Sequence, residues 1–114
     1  MLTIAEYQKR SFETAAYPEK GQGTLRSLSY VFLGLGGEAG EAQEHAKRII
    51  RDDNCVVTPE RKVQLKKELG DVAWYLAGAC TELGLSLEEV LQENLDKLQD
   101  RKKRGMIKGS GDDR

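Results

Sequence analysis

Residues 27–51 read SLSYVFLGLGGEAGEAQEHAKRIIR, and how this stretch folds decides the architecture. Leu28, Val31, Phe32, Leu35, Ala39, Ala42, Ala46 and Ile49 recur at the steps of one helical stripe, which predicts a long helix from about Ser27 to Arg51. Gly34, Gly36, Gly37 and Gly40 oppose it, each costing about 1 kcal/mol relative to alanine in a helix interior. So many glycines in one helix suggest that another helix backbone or a ligand comes close. A break near Gly36-Gly37 is the competing reading.

The flanks are helical as well. Thr3-Ile4-Ala5-Glu6 is a capping box, with Leu2 and Tyr7 placed as a hydrophobic staple. It opens a first helix that runs to about Ala16, because Pro18 pushes Tyr17 out of helical geometry. Glu19 to Thr24 reads as a loop. After the interruption at Asp52-Asp53-Asn54, Thr58-Pro59-Glu60 supplies an N-cap, an N1 proline and an early acid for a third helix. Its stripe is Leu65, Leu69, Val72, Leu76, Ala79 and Leu83, stopped at Gly84. Ser86-Leu87-Glu88-Glu89 is a second capping box, opening a fourth helix with Leu87, Val90, Leu91, Leu95 and Leu98 inward. This helix dissolves into Arg104-Gly105. The pattern is all-α, one domain spanning 1–114, with 105–114 a flexible tail by composition.

Bulk properties narrow the function. A net charge of −1 recruits neither a nucleic acid polymer nor an anionic membrane. Cys55 and Cys80 form no CxxC pair and read as free thiols in a reducing compartment. No apolar run approaches the roughly 20 residues of a membrane span and no signal peptide is visible, so a soluble, cytoplasmic protein is expected.

The chemistry lies in two acidic clusters, Glu38-Ala39-Gly40-Glu41 and Glu68-Leu69-Gly70-Asp71. Acids three apart share one face of a helix. At about 100° per residue, Glu38 sits roughly 60° and Glu41 roughly 120° from the centre of the apolar stripe, and Glu68 and Asp71 repeat those offsets. Both pairs therefore flank a buried face. If the two helices pack antiparallel, four carboxylates converge at the rim of the core, where they repel unless they hold cations. Hard divalent ions such as Mg²⁺ choose oxygen ligands of this kind. A ferritin-like di-iron site would need Glu-x-x-His. The only histidine is His45, and Ala42 stands where that motif needs its glutamate. His45, one turn beyond Glu41, is read as a surface or partly buried histidine in preference to an orienting one. No Ser/His/Asp or Cys/His arrangement stands out, so the expected chemistry is metal-assisted attack by water.

The pattern Glu38-x-x-Glu41 followed by Glu68-x-x-Asp71 resembles the MazG-like branch of the all-α nucleoside triphosphate pyrophosphohydrolases, which includes dimeric dUTPases. Glu6-Tyr7-Gln8, Leu35 to Glu41, Lys67 to Val72, Asn94-Leu95-x-Lys97-Leu98-x-x-Arg101 and Arg104 to Asp112 carry the same likeness. The resemblance implies cleavage of a nucleoside triphosphate between the α and β phosphates. It assigns Glu38, Glu41, Glu68 and Asp71 to Mg²⁺ or Mn²⁺, with one of them or Glu44 as base. It assigns Asn94, Lys97 and Arg101, on one face of the fourth helix, to phosphate or sugar contacts, and gives Lys108 and the tail a place over the triphosphate or a neighbouring subunit. Trp74 is expected as a pocket wall, while Lys47, Arg48 and Arg51 are read as a solvated face. The family fold is a four-helix bundle completed by homo-oligomerisation, as a homodimer or homotetramer. Two other functions stay open: a catalytically silent helical interaction module, and a relative acting on phosphoribosyl-ATP.

Overall fold

A computed structural model describes residues 1–114 as four α-helices and no strand: α1 (Ile4–Glu13), α2 (Leu25–Asp52), α3 (Pro59–Glu82) and α4 (Leu87–Lys103). Every helix starts on a hydroxyl cap. Thr3 accepts from the Glu6 N–H at 3.1 Å, Thr24 from Ser27 at 3.3 Å, Thr58 from Arg61 at 3.1 Å and Ser86 from Glu89 at 3.2 Å. The first helix stops at Glu13, short of Ala16. The Thr14 hydroxyl donates to the Ser11 carbonyl at 2.6 Å, and the Thr14 and Ala15 N–H groups turn back to Ser11 and Phe12, a local alternative to helical bonding. The long second helix runs unbroken through its glycines.

Antiparallel pairing of α2 and α3 organises the molecule. Val31 meets Gly78, Gly34 meets Tyr75 and His45 meets Glu68, so contacts advance along one helix as they retreat along the other. Gly34 explains part of the glycine cost: a methyl group there would overlap the Tyr75 ring. Gly36, Gly37, Gly40 and Gly70 face open space. The short α1 lies across α3, and Gln8 ties it to the α3–α4 turn. The Gln8 carboxamide donates to the Leu85 carbonyl at 2.9 Å and accepts from the Leu87 N–H at 2.8 Å. Helix α4 leans on α1 and α3 and does not reach α2.

The loop from Tyr17 to Thr24 wraps around the buried carboxylate of Glu82. The Tyr17 hydroxyl donates to it, as do the backbone N–H groups of Gly21 at 2.7 Å and Gly23 at 3.0 Å. Gly23 is required twice over: its φ is +63°, and a Cβ would lie 2.9 Å from the Glu82 carbonyl.

The expected core stripes are only partly covered. Val31, Ile49 and Ala79 are buried, whereas Phe32, Ala39, Ala46, Leu69 and Leu83 are exposed. Leu33 is 76% exposed. Only 14 of 114 residues are buried, and the radius of gyration is 16.9 Å against about 13 Å for a compact chain of this length. A stripe of apolar residues states that a face wants cover, not which element covers it. Here the chain leaves much of α2, α3 and α4 uncovered.

Candidate metal centre

Antiparallel register brings Glu38 of α2 opposite Glu68 and Asp71 of α3. Ligand atoms of the three acids all lie within 4.8 Å of one another. Glu38 and Glu68 are half-buried at the helix seam, while Asp71 is exposed. Glu41 stands outside this group and is exposed. Its charge still reaches Glu38, whose carboxyl is held above the ordinary range. The causes are partial burial, then a hydrogen bond shared with Glu68, then the charges of Asp71, Glu68 and Glu41. Hard oxygen donors crowded this closely form a set whose repulsion a divalent cation would relieve.

A cavity of about 350 Å³ opens beside the acids, lined by Thr14, Glu38, Asp71, Trp74 and Tyr75. The Trp74 indole N–H donates to the Thr14 hydroxyl at 2.8 Å, which fixes the ring against α1. Tyr75 packs edge-on against Trp74, with centroids 4.9 Å apart, and Tyr17 stacks on Tyr30 at the same spacing. Burial first, then Tyr30 and the charges of Glu38 and Asp71, push the Tyr75 hydroxyl upward. Trp74 therefore stands at the wall of this cavity. Thr14 has no signal in the sequence, whereas Tyr75, like Trp74, follows Asp71 by one turn and could stack on a base. Thr14 lies on another element with no motif around it, and Tyr75 could not be told from a core aromatic.

His45 is buried. Its Nε2 lies 3.5 Å from Glu68 Oε1, and its Nδ1 lies 3.1 Å from the Arg61 guanidinium. Arg61 in turn donates to Asp53 at 3.1 Å. The sequence signal was present only as spacing, since His45 follows Glu38 and Arg61 precedes Glu68 by two helical turns each. Glu44 points elsewhere: a hydrogen bond and charge from Lys47, with Arg48 and Arg51 nearby, hold its carboxyl below the usual range. That makes it a poor proton acceptor. Arg51 pairs with Asp52 on the surface, so Lys47, Arg48 and Arg51 form the solvated face expected.

The basic face of α4 is engaged by the chain's own tail. Lys97 lies 3.2 Å from the Asp112 carboxylate, and the buried Arg101 donates to the Asp112 carbonyl while its Nε has no partner. Asn94 and Lys108 are exposed. None of these four residues lines the cavity beside the acids. Arg114 closes the tail on itself, donating to the carbonyls of Met106, Ile107 and Gly111.

Residues 32–106 match the family described as the MazG nucleotide pyrophosphohydrolase domain. The chain is also similar to the Gene 37 protein of Mycobacterium phage L5, 49% identical over 109 residues that cover 95% of this chain and 96% of that protein. No solved structure matches. The matched span includes all of α3 and α2 from residue 32 on, with all four acids, and the chain belongs to the MazG nucleotide pyrophosphohydrolase family.

Proposed function

We propose that this chain is a metal-dependent nucleotide pyrophosphohydrolase. It adds water across the α–β anhydride of a nucleoside or deoxynucleoside triphosphate, releasing the monophosphate and pyrophosphate. The observation that carries this reading is the convergence of Glu38, Glu68 and Asp71 at the mouth of an aromatic-walled cavity. In it Glu38, Glu68 and Asp71 hold Mg²⁺ or Mn²⁺, and Glu41, one turn along on the open side, completes the set. The bound ion neutralises triphosphate charge and lowers the pKa of water. One carboxylate of the set takes the proton of the attacking water. Trp74 and Tyr75 wall the cavity for the nucleoside, with Trp74 held by Thr14 so that little ordering remains to be done on binding.

Asn94, Lys97, Arg101 and Lys108 then serve the phosphates across a boundary between copies, since within one protomer they stay off the cavity. A second copy of the chain also suits the uncovered apolar faces and the open glycines of α2. The deciding experiment is a panel of canonical and modified NTPs and dNTPs with Mg²⁺ or Mn²⁺, scored for monophosphate and pyrophosphate release. Turnover of at least one is expected, and none from a folded preparation would refute the enzyme. Sedimentation of the same preparation should give a dimer or tetramer, and a monomer at working concentration would refute the shared site.

A further inference from the structure

The polar chain behind the acids has a direction. Arg61 can only donate, so His45 Nδ1 must accept from it, and the ring proton then sits on Nε2, facing Glu68. Asp53 at the end of α2 holds Arg61 through Nε, and Gln64 accepts from its NH1 at 3.2 Å. All four groups from Asp53 to Glu68 are shielded, with side-chain exposures of 17%, 14%, 11% and 19% for Asp53, Arg61, His45 and Glu68. A buried histidine with a half-buried arginine and aspartate behind it would be an odd expense for packing alone, because an apolar seam between two helices needs none of them.

We propose that His45, oriented by Arg61 and Asp53, is a positioning residue for the metal ligand Glu68. Its Nε2 stands 3.5 Å from Glu68 Oε1, close enough to restrain the carboxylate that would hold the cation. The guanidinium behind the ring polarises that N–H toward the acid, which lowers the cost of assembling several carboxylates at one point. The helix-end residues Asp53 and Arg61 thereby fix one ligand of a centre two turns away. This rests on the metal centre proposed above, but its test needs no turnover.

Mn²⁺ binding to the metal-free protein, followed by the electron paramagnetic resonance signal of the free ion, reads the effect directly. His45→Leu should weaken Mn²⁺ binding by about 10–100-fold, the scale of lost outer-shell partners. His45→Gln, which keeps one acceptor and one N–H donor, should recover most of it. Arg61→Met leaves the ring in place but frees Nδ1, and should lose severalfold; it carries the test if the leucine variant does not fold. In a Glu68→Gln background, His45→Leu should cost nothing further, because its partner is already gone. Wild-type affinity in His45→Leu or Arg61→Met, with helix content intact, overturns the proposal while leaving the hydrolase reading standing. A wild-type chain that binds no Mn²⁺ overturns both, and tight binding without turnover of any nucleotide overturns the hydrolase alone.

Discussion

Glu82 and Glu38 are both carboxylates drawn into the helix hairpin, and their surroundings push them in opposite directions. Burial by itself would raise the Glu82 carboxyl. The donors around it outweigh that effect: Tyr17, the backbone of Gly21 and Gly23, and Ser27 hold it below the ordinary range. Glu38 has no such donors. Partial burial, its hydrogen bond with Glu68 and three neighbouring acids hold it above that range. The first arrangement is complete within the chain and anchors a loop. The second has no such donors, and the cation proposed above would offset its repulsion.

Removing charge at the two positions should therefore have opposite consequences. Glu38→Gln should cut turnover by on the order of 10²–10³, the scale seen when one preorganised electrostatic partner is lost. It should also raise the melting temperature of the metal-free protein, since it relieves repulsion. Activity and calorimetry on one preparation check both, and a variant that is less stable without metal would break the contrast with Glu82.

Glu82→Leu should destabilise at neutral pH by about 3 kcal/mol or more, because it strands the Tyr17 hydroxyl and two backbone N–H groups at about 1–3 kcal/mol each. The pH dependence follows from the sign of the shift. With an unfolded glutamate near about 4.3, the stabilisation from Glu82 is fully present above that value and lost as pH falls through its lower folded value. Urea titrations at several pH values should show this acid loss in the wild type and a shallower one in the variant. Identical acid limbs would remove Glu82 from the account.

Gly34→Ala is the smallest of the three changes. The added methyl group must displace the Tyr75 ring, an overpacking cost of about 1–3 kcal/mol. Because Tyr75 walls the cavity beside Glu38, substrate KM should rise with little change in Glu82-dependent acid stability. A change in the acid limb instead would mean that the two carboxylate regions are coupled through the aromatic cluster.

Much of this was legible in the sequence. Three of the helix starts, at Thr3, Thr58 and Ser86, and the acid pairs on single helix faces, follow from bonds and angles within a turn or two of chain. Thr24 was placed in the loop before the second helix, so its cap was the one start missed, and α1 proved shorter than expected because a threonine hydroxyl competed for its last carbonyls. The resemblance to the MazG-like family rested on short motifs and was likewise available before any fold.

By itself, then, the sequence determined an all-α chain with two acid pairs at helical spacing, because capping and helical periodicity are local. Only the tertiary structure decided which acids meet. Glu38, Glu68 and Asp71 come together while Glu41 stays outside, His45 falls between Glu68 and Arg61, and the tail carboxylate of Asp112 rather than the acid cavity faces Lys97 and Arg101. The reason is physical. The relative register of two packed helices is set where a glycine such as Gly34 admits a ring such as Tyr75, and nothing in the local hydrogen bonding of either helix encodes that match.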